Sequence, residues 1–381
     1  MKIVADDKIP TLKGVFEPYA EVSYLPGNII SKEDLKDADA LIVRTRTKCN
    51  QNLLENTKVK MVATATIGTD HLDIPWLEQA GIQWCNAPGC NSGSVRQYIG
   101  SVLAHLIMDG MIPSQTTLGI VGVGMVGTKV AQLANALGFK VLLNDPPRQR
   151  KEKSDQFCDL PHLLKHSDIV TFHTPLNKGG QDATYHLFNK DTLSQLKKGA
   201  IVINSSRGEV TQTETLIHGI ENGHLSRVVL DVWENEPDIH HNLHLKVWLG
   251  TPHIAGYSVD GKANGSIMTI HAMAKAFGLP LTDWQPNTLP MPENPVIHLE
   301  GTPEPSFQTA AKAILQTYNI MDDDARLRRK PQEFEKQRGG YPVRREFHLW
   351  AVVPHTTTNP QTIQMLRELG FILHENGTEN N

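Results

Sequence analysis

At 381 residues, with 39% hydrophobic and 20% charged side chains, the chain is too long for one core and has the make-up of an ordinary globular protein of two or three domains. A net charge of −4 gives no footprint for nucleic acid or an anionic membrane. No run approaches the ~18 apolar residues of a membrane span, and no signal peptide is expected in a start carrying Asp6 and Asp7. Cys49, Cys85, Cys90 and Cys158 show neither C-x-x-C pairing nor metal-ligand spacing, so reduced thiols in a cytoplasmic protein are expected.

In residues 1–91 short apolar runs at 3–5, 40–43, 60–65 and 82–84 read as strands. Between them, Ser31 with Asp34 forms a capping-box-like start, and residues 74–80 end at Gly81 as a helix should. Strands alternating with helices predict a parallel α/β sheet, whose ligands sit beyond the carboxyl ends of the strands. Two polar segments leave those ends: Arg44-Thr45-Arg46-Thr47-Lys48, and Thr66-Ile67-Gly68-Thr69-Asp70. Both read as solvated loops or as an anion site, the second because clustered cations repel one another unless an anion holds them.

A long helix is expected from Ser92 or Gly93 to about Met108. The stretch LGIVGVGMVGTKVAQLANALGFKVLLND follows, and the chain is organised around it. An apolar run at 118–121 leads into Gly122, Gly124 and Gly127, with Met125 and Val126 in the turn. Val126, Val130, Leu133, Ala134 and Leu137 then recur at helical spacing, and Gly138 stands at the C-cap. Gly122 permits a sharp reversal, Gly124 lets a pyrophosphate approach the main chain, and Gly127 lets the helix pack on the sheet. The helix N-terminus offers free N–H groups to phosphates. Asp145 lies near the offset of roughly 20 residues at which a carboxylate binds the adenosine ribose, so a dinucleotide site is read here. The cofactor is expected to be NAD, since Asp145 would repel a 2′-phosphate. Arg148 and Arg150 weigh the other way, although the Pro146-Pro147 pair can turn them aside.

Further strands are expected at 169–173, ending on Thr174-Pro175, at 200–204, ending on Ser205-Ser206-Arg207-Gly208, and at 228–232, which contains Asp231. A helix at 258–277 closes on Gly278. Pro280, Pro286, Pro290, Pro292 and Pro295 then mark a stiff linker. Beyond it come a strand at 296–299, a helix at 306–318, a basic stretch and a strand at 347–353. A helix follows with Asn359 as N-cap, Pro360 at N1 and Gly370 as C-cap, then a strand at 371–374. This is a small α+β domain, and residues 375–381 are expected to be disordered.

Three polar residues fall at strand ends of the middle domain: Arg207, Glu236 and His253. Arg207, between a strand and a helix, could grip a carboxylate through two parallel hydrogen bonds. His253 has an imidazole suited to proton transfer, and Glu236 could fix its tautomer and favour the imidazolium. A 2-hydroxy acid needs this set: a cation for its carboxylate, a base for its C2 hydroxyl and a nicotinamide for its C2 hydride. Each residue alone is more often a surface charge, and the chain has 17 histidines. His240 and His244 would share a helix face beside His241, but no third ligand has suitable spacing, so no metal is assigned.

In chain order GIVGVGMVG, NSSRG, DVWENEP and TPHIAG resemble the D-2-hydroxyacid dehydrogenase family over about residues 1–278. The resemblance implies a Rossmann-type NAD-binding domain (93–257), a flavodoxin-like α/β substrate or lid domain (1–92 and 258–280) and a C-terminal α+β domain (281–381). It implies Arg207 as carboxylate anchor, Glu236 as acidic partner and His253 as acid/base. It places Gly122, Gly124, Met125, Val126, Gly127, Asp145, Thr174, Ser205, Ser206, Arg207, Asp231 and Gly256 at the cofactor, with Asp231 near the nicotinamide carboxamide. A formate dehydrogenase would pair its histidine with Gln, so Glu236 argues against that member.

VRTRTK, ATATIGTDHLD, APGCN, DPPR, HTPL, TPHIAGYS and the C-terminal extension are similar to one branch of the family, whose substrate is a phosphorylated 2-hydroxy acid and whose extension makes a homodimer. That implies substrate roles for Arg44, Thr45 (where serine is expected), Thr66 and Tyr257. D-3-phosphoglycerate dehydrogenase stands as an alternative, although the tail reads βα, a basic insertion, then βαβ rather than βαββαβ. A non-catalytic, corepressor-like NADH-binding protein is a second, from another class. Arg338, Arg344 and Arg345 surround Gly339-Gly340-Tyr341-Pro342. They read either as a solvated basic surface or as a turn that reaches a partner's substrate cleft, with strand 347–353 buried across a two-fold axis.

Overall fold

Five short strands, β1 (Lys2–Asp6), β2 (Glu21–Leu25), β3 (Ala40–Val43), β4 (Met61–Thr64) and β5 (Gln83–Cys85), pair in parallel in the order 2-1-3-4-5. Four of them follow the apolar runs of the sequence. β2 does not announce itself, because an edge strand that is only half buried carries no continuous apolar run. This computed structural model describes residues 1–301 and 303–374; the tail expected to be disordered, 375–381, lies outside them. The chain divides into two units, Met1–Asn91 with Ser258–Pro290, and Ser92–Tyr257 with Met291–Asn381.

The first unit is completed by the helix Val259–Phe277, capped by the Ser258 side chain at one end and by Gly278, at φ 67°, at the other. Its Ile270, Met273 and Ala274 pack on Ile3, Ile42 and Ala63 of the sheet. Gly265 lets it approach the chain leaving β4: a Cβ there would collide with the Ala65 carbonyl oxygen. The order 2-1-3-4-5 reverses direction between β1 and β3, so the crevice for a ligand lies at their carboxyl ends.

The second unit holds β6 (Thr117–Val121), β7 (Lys140–Asn144), β8 (Ile169–Phe172), β9 (Ala200–Asn204), β10 (Leu225–Leu230) and β11 (Leu249–Gly250), all parallel, in the order 11-10-9-8-6-7. Its switch point lies between β6 and β8, where the glycine turn leaves the sheet. The helix Ser92–Met108 is buried on nearly every side, which suits its lack of a polar face. It packs between the helices Met125–Leu137 and Ser306–Thr317.

The C-terminal segment therefore shares a core with the dinucleotide sheet: Val102, Leu133, Ile314, Val352 and Leu366 belong to one cluster. Its strands β12 (Val296–His298), β13 (Ala351–Val353) and β14 (Ile372–Leu373) form a parallel sheet in the order 12-13-14. The basic stretch is two helices, Ile320–Arg329 and Phe334–Gly339. Pairs one turn apart, Asp323 with Arg326, Asp324 with Arg328 and Glu335 with Arg338, support them.

Two expectations are corrected here. Residues 347–353 are not one strand: a 3-10 turn, Phe347–Leu349, precedes β13, which is the middle strand, with Val352 fully buried. This stretch is interior to its own chain and is no free face for a second copy. Arg344 and Arg345 are each only 4% exposed, so neither belongs to a solvated surface or a reaching turn. Among the described residues no helix is long and apolar enough to cross a membrane.

Ile314, fully buried where the C-terminal segment meets the helix Ser92–Met108, tests the shared core. Ile314→Ala should lower stability by about 2–5 kcal/mol in urea denaturation, the range for emptying a packed site. A loss well under 1 kcal/mol would mean the segment is not integral to the core.

Candidate active site

The turn after β6 is built as its glycines require. Gly122 has φ 86°, and a Cβ on it would stand 2.8 Å from the His173 carbonyl group. A Cβ on Gly127 would collide with the Gly122 carbonyl oxygen, whereas one on Gly124 would meet nothing within 4 Å. The open side of the turn is thus at Gly124, the N-cap of the helix Met125–Leu137, which has no side-chain cap. Met125 is exposed and Val126 half-buried beside it. Uncapped N–H groups at a helix start suit a phosphate.

Asp145 stands over the same turn. Its Oδ2 accepts from Val123 N–H at 2.8 Å, and its Oδ1 accepts from Arg148 N–H at 3.0 Å, capping the helix Pro146–Glu152. A carboxylate has about four acceptor positions, so two remain for ribose hydroxyls. The neighbouring arginines are engaged elsewhere: Arg148 with Glu152 at 2.7 Å and with the Val123 carbonyl, and Arg150 with Asp182. Thr174 Oγ1 and Ser205 Oγ, at the ends of β8 and β9, are buried with no hydrogen-bond partner in the protein. An unmade bond costs about 1–3 kcal/mol, so two orphaned hydroxyls at neighbouring strand ends beside the glycine turn fit a polar ligand such as NAD. Ser206 differs, because its hydroxyl is bonded to Asn204 at 2.9 Å.

The His253–Glu236 pair lies along the same sheet edge. His253 Nδ1 and Glu236 Oε2 are 2.7 Å apart, and Glu236 Oε1 accepts from Trp233 N–H at 2.8 Å. Burial alone would raise the Glu236 pKa. The charge and hydrogen bond of His253, the Trp233 N–H and the charge of Arg338 outweigh it and hold the carboxyl below its ordinary range. His253 itself sits at φ 55°, a left-handed conformation uncommon outside glycine.

Asp231 holds that backbone. Its Oδ1 accepts from Thr251 Oγ1 at 2.6 Å and Ile254 N–H at 2.7 Å, its Oδ2 from Ala255 N–H at 2.8 Å, and its carbonyl from His253 N–H at 2.7 Å. The implied contact with the carboxamide is therefore left only the remaining position on Oδ2; the main occupation of this carboxylate is the loop. Tyr98, from the long helix, joins through a 2.8 Å bond to Thr251 Oγ1.

Arg207 precedes a 3-10 turn, Gly208–Val210, rather than a helix. Asn204 pins this corner, donating to the Arg207 carbonyl at 2.8 Å. Gly208 lies so close to Trp233 that a Cβ would strike its carbonyl group, which brings the Arg207 corner against the loop that carries Glu236. Arg207, Glu236 and His253 are thus assembled on neighbouring corners of one sheet. Gly256 and Tyr257, both half-buried, follow the histidine.

In the other unit Arg44 and Thr66 follow the paired strands β3 and β4. Arg44 Nε lies 3.4 Å from buried Asp6 at the end of β1, on the switch point. Thr45 is exposed beside it, and Thr66 Oγ1 bonds Thr64 Oγ1 at 2.8 Å. His240 caps the helix His241–Lys246, and His244 packs edge-on against Trp233. Among the described residues no group of three or more His, Cys, Asp or Glu side chains is placed to hold a metal.

Sequence reasoning missed Thr251, Tyr98 and the approach of two C-terminal arginines. Arg338 pairs with Glu335 at 2.7 Å, stands 5.6 Å from the Tyr257 ring centre and acts on Glu236; Arg344 bonds the carbonyls of Ile254 and Ala255. Thr251, two positions before His253, was within reach of a local reading. The others come from far away in the chain and leave no local signal.

Residues 101–255 match the NAD-binding domain of D-isomer specific 2-hydroxyacid dehydrogenases, and residues 288–370 match a domain of unknown function, DUF3410. The chain is 47% identical to an erythronate-4-phosphate dehydrogenase of Bacteroides thetaiotaomicron, over 93% of this chain and 99% of the relative. It is 43% identical to one of Proteus mirabilis, over 97% and 99%. In fold it resembles the D-lactate dehydrogenase of Aquifex aeolicus complexed with NAD and lactic acid, at 24% identity and a TM-score of 0.60, covering 73% of this chain and 96% of that one.

Thr174→Val tests the cofactor site. Removing an orphaned buried hydroxyl should leave the cofactor-free protein as stable or more so, yet weaken NADH binding roughly 2–10-fold, the scale of one hydrogen bond. Unchanged NADH affinity by fluorescence titration would take Thr174 out of the site.

Proposed function

This chain belongs to the erythronate-4-phosphate dehydrogenases of the D-2-hydroxyacid dehydrogenase family, and we infer that it oxidises 4-phospho-D-erythronate to 2-oxo-3-hydroxy-4-phosphobutanoate in pyridoxal 5′-phosphate (pyridoxine) biosynthesis. It is an NAD-dependent dehydrogenase. The observation that carries the catalytic reading is the 2.7 Å His253–Glu236 bond on the sheet edge that also bears the dinucleotide turn.

Bound NAD supplies the hydride acceptor at C2. The chain's own work is to hold the acid and move the proton. Arg207 binds the C1 carboxylate and fixes the orientation of C2. Neutral His253 takes the C2 hydroxyl proton on Nε2, since Nδ1 faces Glu236, and the ionised Glu236 stabilises the imidazolium that forms. Asp145 would hold the adenosine ribose, Thr174 and Ser205 would donate to the cofactor, and Asp231 fixes the loop that carries His253.

Arg44, Thr45, Thr66 and Tyr257 bind the phosphorylated substrate in this reading, supported by the placing of the first three at the carboxyl edge of their sheet. The protein acts as a homodimer in the cytoplasm. The C-terminal sheet supports the dimer: a cavity of about 650 Å³ beside β12 is lined by Met291, Val296 and Val343, all strongly exposed apolar side chains. All four cysteines are free, which supports a reducing compartment.

Turnover of 4-phospho-D-erythronate with NAD separates this reading from a non-catalytic NADH-binding protein. His253→Ala should cost at least ~10²-fold in turnover with NADH binding intact; near-normal rates would remove His253 from the mechanism. Glu236→Gln should also slow turnover. Because the Glu236 pKa is lowered in the fold, its stabilisation is present above the ordinary carboxylate range and lost as pH falls through the lowered value. The stability gap between wild type and Glu236→Gln should therefore be open at neutral pH and shrink below about pH 4; a gap that widens on acidification would contradict the pairing. Val296→Asp with Val343→Asp should sediment as a monomer, and an intact dimer would move the interface elsewhere.

A further inference from the structure

We propose that Arg344, from the C-terminal segment, is a positioning residue for the proton-transfer step, clasping in its own chain the peptide units that follow His253. The inference rests on the reading of His253 as the base.

A buried guanidinium is costly unless its donors are used. Arg344 is 4% exposed, and its Nη2 donates to the Ala255 carbonyl at 2.6 Å and to the Ile254 carbonyl at 3.2 Å. Its Nη1 lies 3.3 Å from the Tyr341 hydroxyl, and its plane stands 4.5 Å from the Tyr318 ring centre. Burial would lower its pKa, but Tyr341, Tyr318, Asp231 and Glu346 raise it further, so the charge persists.

The N–H groups of the same two residues go to Asp231, at 2.7 and 2.8 Å. Residues 254 and 255 are therefore strung between two buried charges of opposite sign, an anion on their N–H groups and a cation on their carbonyls. The segment grips the loop upstream as well: Asp324, on the helix Ile320–Arg329, accepts from Gly250 N–H at 2.7 Å and is itself paired with Arg328 at 2.7 Å. His253 lies between these two grips with φ 55°. A left-handed non-glycine residue persists only when its surroundings over-determine it. Without the carbonyl clasp, residues 253–255 can relax, and the Nδ1 contact with Glu236 and the aim of Nε2 relax with them. The clasp is made by the two Nη groups alone, since Nε is buried with no hydrogen-bond partner in the protein.

The test compares Arg344→Met, which keeps the volume and removes the charge, and Arg344→Lys, which keeps the charge but reaches one carbonyl, each in wild type and in His253→Ala. Arg344→Met should lower kcat about 10²-fold, the scale of a small misplacement of a catalytic group, with NADH affinity and substrate KM little changed. Arg344→Lys should restore part of the loss. In the His253→Ala background neither change should slow the enzyme further, because a positioning residue acts only through the group it positions. Wild-type kcat for Arg344→Met, or a full multiplicative loss on top of His253→Ala, would overturn the proposal. If Arg344→Met loses NADH binding, Arg344→Lys decides by the same criterion: unchanged kcat, or an added loss without His253, refutes the clasp. His253→Ala with normal turnover is a different failure, that of the base assignment itself.

Discussion

The site depends on one buried carboxylate. Asp231, at the end of β10, accepts from Thr251, Ile254 and Ala255 and so holds a loop whose histidine sits at an unfavourable φ. An ionised group 1% exposed is tolerable only when nearly every acceptor position is used, and these bonds are charge-assisted and strong. Fixing the loop fixes His253 against Glu236, and Glu236 is fixed in turn by the Trp233 N–H. The histidine's aim is thus specified by hydrogen bonds to two carboxylates, from its loop to Asp231 and from its ring to Glu236.

Much of this was legible in the sequence because its signals are local. The conformations expected of Gly122, Gly124 and Gly127 follow from spacing, and the backbone has a positive φ at the first, an open side at the second and a close approach at the third. The first sheet was legible from its apolar runs, except β2, which lies half exposed at an edge. The chemistry of Arg207, Glu236 and His253 could be named because a 2-hydroxy acid demands one residue of each kind. What could not be read was pairing over distance. Nothing near Arg344 says that its charge is buried against residues 254 and 255, and a run of arginines and acids looks alike whether it is solvated or folded into two helices. Strand 347–353 misled for a related reason: an apolar run shows that it is buried without showing against what.

The C-terminal segment changes the view of how such an enzyme is put together. Its apolar residues complete the core beside the helix Ser92–Met108, and its Asp324 and Arg344 reach the loop that carries His253. Joined through a proline-rich linker, the segment nonetheless supplies fixed charges to the loop around His253. The hydroxyls of Thr174 and Ser205, at the ends of β8 and β9, are among the buried groups with no hydrogen-bond partner in the protein.

The central claim is that this chain removes a hydride from C2 of 4-phospho-D-erythronate while His253 takes the hydroxyl proton. A single turnover with substrate deuterated at C2, followed by mass spectrometry of the cofactor, tests it most directly. The account predicts that the deuterium is recovered in the reduced nicotinamide and none in water. Label in the solvent, or no reduced cofactor at all, would contradict it.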